Sequence, residues 1–388
     1  MHGKPLIYLD SAATTPKPRA VIEAIDTHYS MGTANVHRAA HELSVEATEG
    51  FESARQRIAD FINAGSSNEI IYTRSATEAI NLVANAWGVS SLERGDEILI
   101  TAMEHHANIV PWQLLRERLG IELKVIPIDA DGMLSLDDVK NLISDRTRLL
   151  SATWVSNATG TVNPIHEMIS MARESGAVTM VDATQALPHQ PVDVQALGAD
   201  FIVFSGHKMY GPTGIGCLWG RESILEAMPP WQGGGDMIDQ VTFEKTTFNT
   251  LPWKFEAGTP HIAGAIGLGA AVDWLSGLGM QAVADSEAHL VEKLASTLDA
   301  IPRVELIGRP THRAAAVSFN VDGLHPHDVG TMLDRHGVAI RTGHHCAQPT
   351  MQHFNVPATA RASLGVFNNE SDIDALDKAL RRVIEVFG

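Results

Sequence analysis

The stretch FIVFSGHKMYGPTGIG, residues 201 to 216, contains the features that decide the fold. It begins with the apolar run Phe201 to Phe204, which is typical of a buried β-strand, and continues with Ser205-Gly206-His207-Lys208 and a glycine-rich loop. Open α/β sheets bind ligands at the carboxyl ends of their strands. We therefore expect Lys208 to lie in a ligand site.

Similar apolar, β-branched runs recur before this stretch, and most are separated by segments of helix length. This alternation is typical of a mostly parallel sheet covered by helices. Ser75 and Glu78 have the spacing of a capping box, so a helix should start near Ser75, with free amides that bind an anion. The predicted strands are residues 69–73, 97–101, 123–128, 148–155, 177–181 and 201–204.

The pattern changes towards the end of the chain. Pro229 to Gly235 is rich in turn residues and precedes a polar, aromatic segment, which we interpret as an excursion near the site. Strands are then predicted at 316–321 and 338–341, followed by a last helix from Ser371, capped by Asp374 and buried through Phe387. We expect a large domain of residues 13–262 and a small α+β domain of residues 263–388 with residues 1–12.

The net charge and the hydropathy of the chain argue against some classes of binding partner. The chain of 388 residues has 29 Lys and Arg against 46 Asp and Glu, a formal net charge of −17 at pH 7, which disfavours nucleic acid and anionic membranes as partners. The apolar stretch 261–272 is too short to span a bilayer, and the first ten residues do not have the pattern of a secretory signal. We expect a soluble, cytoplasmic protein with no nucleic-acid or membrane partner.

Lys208 has neighbours that suit covalent binding of a cofactor. Most lysines are solvated surface groups, so the interpretation depends on context. Here Ser205 and His207 can bind phosphate oxygens, and the glycine-rich loop leaves little helix around the amine. A lysine that forms a Schiff base fits this setting.

Three further side chains could serve a flat aromatic cofactor. Asp182 ends a predicted strand, where its carboxylate could pair with a protonated pyridine nitrogen or simply cap a helix. Gln185 could donate a hydrogen bond to a phenolic oxygen. His105, followed by His106, could stack on the ring and move protons, although a lone histidine is more often a satisfied polar group.

The two cysteines are too few for a disulfide framework and differ in their surroundings. Cys217 lies in an apolar run between glycines, which favours a structural, buried thiol. Cys346 lies in the polar loop RTGHHCAQP, residues 341–349, whose cation and imidazoles could favour the thiolate. From these residues alone, a reactive thiol and a loop cysteine without a role are both open.

Several segments together resemble the pyridoxal 5'-phosphate (PLP)-dependent cysteine desulfurases, most closely the SufS-type branch, with the CsdA-type subgroup nearby. The resemblance covers nearly the whole chain in the order and spacing of its motifs. It implies a fold type I, aminotransferase-like homodimer with a mostly parallel seven-stranded sheet. The matching segments are DSAATT (10–15), EHHAN (104–108), SGHK (205–208), YGPTG (210–214) and RTGHHCAQP (341–349).

The resemblance also implies an activity and the residues that perform it. L-cysteine would be converted to L-alanine, its sulfur leaving as a persulfide on Cys346 for iron–sulfur cluster assembly through a SufE-like or SufU-like acceptor. Lys208, His105 and Cys346 are the implied catalytic residues. The implied cofactor-binding residues are Thr77, Asp182, Gln185, Ser205, His207, Lys208 and, from the partner subunit, Thr259. The implied substrate-binding residues are His37, Asn157, Arg341 and Arg361.

Three alternatives stay open at this point. A zinc enzyme is one alternative, but neighbouring histidines on an extended chain point to opposite sides and no Cys-x-x-Cys pair exists, so we expect no metal. Its possible ligands are His105, His106, His344, His345 and Cys346. Another PLP reaction on the same fold, such as selenocysteine cleavage, would keep Lys208 without needing Cys346. A non-catalytic binding protein would have no need for Lys208, Asp182 and Cys346 together.

Overall fold

The computed structural model describes residues 1–37 and 40–387 and contains a large and a small β-sheet. In these residues the strands are β1 (Ile7–Tyr8), β2 (Ile70–Thr73), β3 (Glu97–Thr101), β4 (Glu122–Ile126), β5 (Thr147–Thr153), β6 (Val178–Asp182), β7 (Phe201–Ser205), β8 (Gly216–Gly220), β9 (Ile238–Val241), β10 (Thr246–Phe248), β11 (Val304–Ile307), β12 (Ala316–Val321), β13 (Val338–Ala339), β14 (Arg341–Gly343) and β15 (Thr359–Ser363).

Helices cover the sheets and connect their strands. The α-helices of the same residues are α1 (Arg19–Met31), α2 (Glu42–Phe61), α3 (Ala76–Val83), α4 (Val89–Ser91), α5 (Val110–Leu119), α6 (Leu136–Leu142), α7 (Ile165–Glu174), α8 (Val194–Leu197), α9 (Glu222–Ala227), α10 (Ile262–Leu278), α11 (Met280–Asp299), α12 (Pro326–Arg335), α13 (Gln348–His353) and α14 (Glu370–Phe387). Short 3₁₀ turns include His106–Asn108 and Gly206–Lys208.

The large sheet has seven strands in the order β2-β8-β7-β6-β5-β3-β4. All neighbouring strands are parallel except β8, which is antiparallel to both β2 and β7. The prediction of a mostly parallel sheet is confirmed, but β8 was not recognised as a strand. It runs backwards because only the short loop between Ser205 and Gly216 connects it to β7, and a parallel return needs a crossover of a dozen or more residues.

Apolar side chains are buried on both faces of this sheet. Phe201 and Val203 of β7 belong to one core, and Ile202 and Phe204 belong to the other, as the two-residue period of a strand requires. Cys217 of β8 is fully buried, and this burial raises the pKa of its thiol. Cys217 therefore lies in the buried, apolar surroundings that the sequence predicted.

The small sheet is antiparallel, with the order β11-β12-β15-β14, and packs against α11, α12 and α14. Leu9 joins its core, and β1 pairs in parallel with β13, so the first residues of the chain lie with this sheet. Helix α10, however, buries side chains such as Leu268 and Leu275 in the core of the large sheet. The chain passes from the core of the large sheet to the core of the small sheet between α10 and α11. The domain division at residues 262 and 263 stays a prediction.

Two details at the end of the chain correct the sequence expectations. The predicted strand 338–341 is divided into β13 and β14. Helix α14 is capped two residues earlier than expected, because Asn369 accepts from the amide of Ser371 and Asp372 accepts from the amide of Asn369. Asp374 instead forms an ion pair with Lys293, and Phe387 is exposed. Asn and Asp cap as well as Ser, so the earlier pair competes successfully.

Within the described ranges, no single helix has the length and apolarity needed to cross a membrane. Helices α10 and α11 meet those criteria only as a joined pair, which is bent by 75°.

Arg55 on α2 is a buried cation that joins three parts of the large domain. Its Nη1 atom donates to the carbonyl of Ile70 over 2.8 Å and to Glu256 over 2.6 Å, while its Nε atom donates to Glu52 over 2.8 Å. Glu256 also accepts from the amide of Tyr72 at 2.7 Å. The edge strand β2 is therefore tied to α2 and to the segment before α10.

We expect Arg55→Met to lower the free energy of unfolding by about 3–5 kcal/mol, because Glu256 is left as an unpaired buried carboxylate. The measurement is the shift in the urea unfolding midpoint. Arg57→Met is the control: its ion pair with Asp273 lies on the surface, and its loss should cost less than about 1 kcal/mol. Equal shifts for the two variants would contradict the assignment.

Candidate active site

A cavity at the carboxyl ends of β5, β6 and β7 brings together most of the predicted site residues. The large sheet supplies one side, and β14, β15 and the loop after β14 supply the other. The predicted residues that line the cavity are Thr77, His105, Asn157, Asp182, Gln185, Ser205, His207, Lys208, Arg341, Cys346 and Arg361.

Two predicted residues lie elsewhere. Thr259 lines a second cavity, next to Arg74 and His261. The ring of His37 bonds through Nε2 to Glu52 at 2.8 Å, and His37 lines neither cavity. Within this chain, the structure therefore does not bring these two residues to Lys208.

Lys208 ends the 3₁₀ turn that follows β7. The carbonyl of the preceding His207 accepts from the amide of Thr15 at 3.1 Å and from the Nζ atom of Lys17 at 3.0 Å, which fixes the backbone at this point. Burial lowers the pKa of Lys208 to about 8, although the charge of Asp182 acts in the opposite direction. A substantial fraction of the amine is therefore neutral near pH 8, as a nucleophile or base requires.

Asp182 and Gln185 lie on the wall formed at the end of β6. The Asp182 carboxylate accepts from the amide of Thr184 at 3.0 Å, and burial raises its pKa. The Gln185 amide donates to the carbonyl of Ala12 at 2.8 Å, which fixes its orientation. The wall thus presents a carboxylate and an amide in fixed positions.

His105 is held in one tautomer. Its Nδ1 atom accepts from the amide of Ala107 at 3.0 Å, so the ring proton is on Nε2. Burial, followed by the charge of Lys208, lowers the pKa of His105 to about 3. The imidazole is therefore a neutral flat surface over the physiological pH range.

Helix α3 starts at Ala76 with Ser75 as its cap, as the capping pattern predicted. The hydroxyl of Ser75 accepts from the amide of Glu78, and that of Ser205 accepts from the amide of Ala76 at 2.9 Å. Gly216 is needed here, because a Cβ atom on it would lie 2.7 Å from the Cα atom of Ser75. The helix N-terminus, with two hydroxyls beside it, suits a phosphate group.

Two arginines face the opposite side of the cavity. Arg341 of β14 lies opposite Arg361 of β15 in the antiparallel register. Arg361 is buried, bonds to Asp10 at 3.2 Å and donates to the carbonyl of Asn157. Its Nε atom is buried without a partner among the described residues. Burial lowers the pKa of Arg361 only to about 10, so the guanidinium keeps its charge and can bind a carboxylate.

The loop that carries Cys346 has an unusual backbone. His345 and Cys346 have φ values of 53° and 54°, the left-handed region that costs non-glycine residues about 1–3 kcal/mol each. His345 is held by Thr359, whose hydroxyl lies 2.7 Å from Nε2, and by Asn157, whose amide donates to its carbonyl at 2.6 Å. Cys346 itself is half-buried and faces the cavity.

These groups fit PLP. An amine, a carboxylate and a helix N-terminus are the partners that its aldehyde, pyridine nitrogen and phosphate require. The Nε atom of Arg361 is buried without a partner in residues 1–37 and 40–387, which indicates that a polar ligand completes the cavity.

Sequence reasoning missed some residues of the site and its support. Thr184 and His345 line the cavity, and their position next to Asp182 and Cys346 was the available signal. Glu104 is buried behind His105 and accepts from Thr101, Asn108 and the amide of Thr153. Burial raises the pKa of Glu104 to about 7. A buried carboxylate with three donors cannot be recognised from a motif alone.

Comparisons with known proteins agree with this geometry. The family model described as aminotransferase class-V matches residues 7–376. Cysteine desulfurases of Escherichia coli O7:K1 (strain IAI39 / ExPEC) and Klebsiella pneumoniae (strain 342) are 51% and 52% identical to this chain over 389 aligned positions. The alignments cover 100% of this chain and 96% of each relative.

Solved structures give the same result. The cysteine desulfurase CsdA from Escherichia coli has a TM-score of 0.93 and 40% identity, and the apo cysteine desulfurase from Thermococcus onnurineus NA1 has a TM-score of 0.95 and 39% identity. Each match covers 98% of this chain and 95% of the solved chain. A NifS-like protein, 23% identical with a TM-score of 0.86, shares the fold.

The family model matches nearly the whole chain, and relatives with about half of their residues identical carry one activity. The chain therefore belongs to the class-V aminotransferase family, in which it is a PLP-dependent cysteine desulfurase of the CsdA/SufS type.

Proposed function

We propose that Cys346 receives the sulfur that this enzyme removes from L-cysteine, and that Lys208 binds the cofactor and moves the substrate proton. The observation that carries the proposal is one shared cavity, which is lined by a half-buried lysine directly after β7 of the large sheet and by a half-buried cysteine on a loop of the small sheet. The second thiol, Cys217, is fully buried and lines neither of the two cavities described above.

The substrate carboxylate binds to Arg361, assisted by Arg341 and Asn157. The unpartnered Nε atom of Arg361 is the strongest support, because a buried donor without an acceptor is costly unless a ligand supplies one. The two arginines and the Cys346 loop belong to the same small sheet. A carboxylate bound by the arginines is therefore held at a fixed place relative to the thiol.

The other wall binds the cofactor. PLP, when bound, supplies an electron sink for the negative charge that forms at the substrate Cα atom. Asp182 would pair with the pyridine nitrogen of the bound cofactor, Gln185 would donate to its phenolic oxygen, and His105 would stack on its ring. Ser205, Thr77 and His207 hold the phosphate at the start of α3. The neutral amine of Lys208 accepts the Cα proton and returns it when alanine forms.

The thiol of Cys346 attacks the substrate sulfur. An S–S bond forms, the C–S bond breaks, and the bonding electrons return to the carbon skeleton that becomes alanine after protonation. The persulfide sulfur then passes to a SufE-like or SufU-like acceptor in the cytoplasm, for iron–sulfur cluster assembly. Thr259 lies outside the cavity of its own chain, which supports a homodimer in which it reaches the partner's cofactor. His37 stays a predicted substrate-binding residue that does not line this cavity in its own chain.

The proposal predicts different fates for the two cysteines. Cys346→Ala should reduce alanine formation from cysteine in the presence of a reductant by at least about 10²-fold and abolish persulfide on the protein, because the nucleophile is removed. Alanine assays and intact-protein mass spectrometry measure these effects. Cys217→Ala, the matched control, should keep both. Persulfide on the Cys346→Ala enzyme would show that the sulfur acceptor was assigned wrongly.

The lowered pKa of Lys208 predicts how PLP-free protein rebinds its cofactor. The neutral amine attacks the aldehyde, so the rate should rise with pH through a midpoint near 8 and then level off. Stopped-flow absorbance at constant PLP concentration gives the profile. Lys208→Ala should show no covalent binding at any pH. A midpoint near 10, typical of exposed lysines, would mean that burial does not control this amine.

A further inference from the structure

One residue from outside the Cys346 loop, His106, holds the loop backbone directly after the thiol at two points. The amide of His106 donates to the carbonyl of Cys346 at 2.8 Å. The Nε2 atom of the same His106 accepts from the amide of Gln348 at 3.0 Å. Among the described residues that lie outside the loop and outside α13, which follows it, no other residue is seen to form a hydrogen bond to residues 346–348.

His106 is itself fixed to the large domain. It lies in the 3₁₀ turn directly after His105, and this turn is supported by Asn108, whose side chain donates to the buried Glu104 at 2.7 Å. The oxygen of the Asn108 amide also accepts from Trp112 and Ser151. The turn that presents His105 to the cofactor and the residue that holds the loop are therefore one rigid unit.

The other contacts of the loop do not replace this one. Thr359 and Asn157 hold His345, the residue before the thiol, and His344 bonds only within the loop. Two successive left-handed residues relax unless their surroundings fix them. Half-burial, together with the neighbouring His344, lowers the pKa of His106, which keeps Nε2 unprotonated and able to accept a hydrogen bond.

We infer that His106 is a positioning residue for sulfur transfer: it holds the backbone that follows the Cys346 side chain, at the carbonyl of Cys346 and the amide of Gln348, so that the thiol keeps the conformation in which it faces the bound substrate. The inference rests on the proposed role of Cys346. It assigns the two adjacent histidines different tasks, His105 towards the cofactor and His106 towards the nucleophile loop.

His106→Leu removes the side-chain acceptor and leaves the backbone bond. We expect faster hydrogen exchange at the Gln348 amide and persulfide formation slowed by about 10- to 100-fold, since small misplacements of reacting groups have effects of that size. The first change in cofactor absorbance after cysteine is added should keep its rate, because the cofactor wall is unchanged. Exchange mass spectrometry, rapid-quench alkylation and stopped-flow absorbance give the three readouts.

Two variants make the result specific. His106→Gln places a carbonyl oxygen near the position of Nε2 and should restore both the exchange protection and the persulfide rate. His353→Leu, an exposed histidine on α13 that does not contact the loop backbone at Cys346, should match the unchanged enzyme.

Unchanged exchange at Gln348 in His106→Leu, an equal loss in His106→Gln, or a slowed first absorbance change would each overturn the inference. The exchange readout needs no turnover. If Cys346 were not the sulfur acceptor, His106→Leu would still loosen the loop but would leave sulfur release unchanged, so failure of the two proposals can be distinguished.

Discussion

The sharp return of the chain after β7 is the constraint on which the rest of the site depends. Because β8 comes back antiparallel within a short loop, Lys208 lies at a turn instead of inside a crossover helix. The same return brings Gly216 against Ser75 and so places the start of α3 beside the lysine. The antiparallel return of β8 thus places both the Lys208 amine and the start of α3 at the cavity.

The two sheets divide the chemistry between them. The large sheet supplies the lysine, the carboxylate and the helix N-terminus, all of them at strand ends that are fixed by a core on each face. The small sheet supplies the arginines and the cysteine. Contacts such as that of His106 with the Cys346 loop cross between the two sets and keep their relative position.

The inner parallel strands could be predicted because they are buried on both faces and most of them appear as apolar runs. Strand β15 could not, since its sequence TARAS has small and polar residues and carries Arg361 into the site. The motifs also identified the residues of the cavity but not the bonds between distant segments. That His106 contacts Gln348 depends on how the segment after β3 packs against the loop after β14, which no local pattern contains. Likewise, the positions of Thr259 and His37 outside the cavity follow from the course of the whole chain.

The histidines around the cavity have a further consequence. Burial lowers the pKa of His105 to about 3, of His207 to about 4 and of His345 to about 2, so none of these rings gains a proton near neutrality. These rings contribute to the shape of the cavity and to its hydrogen bonds, and their charge does not change near neutral pH. The electric field that an incoming amino acid meets is then set by the lysine, the arginines and Asp182, and these three rings do not buffer it when the surrounding pH changes.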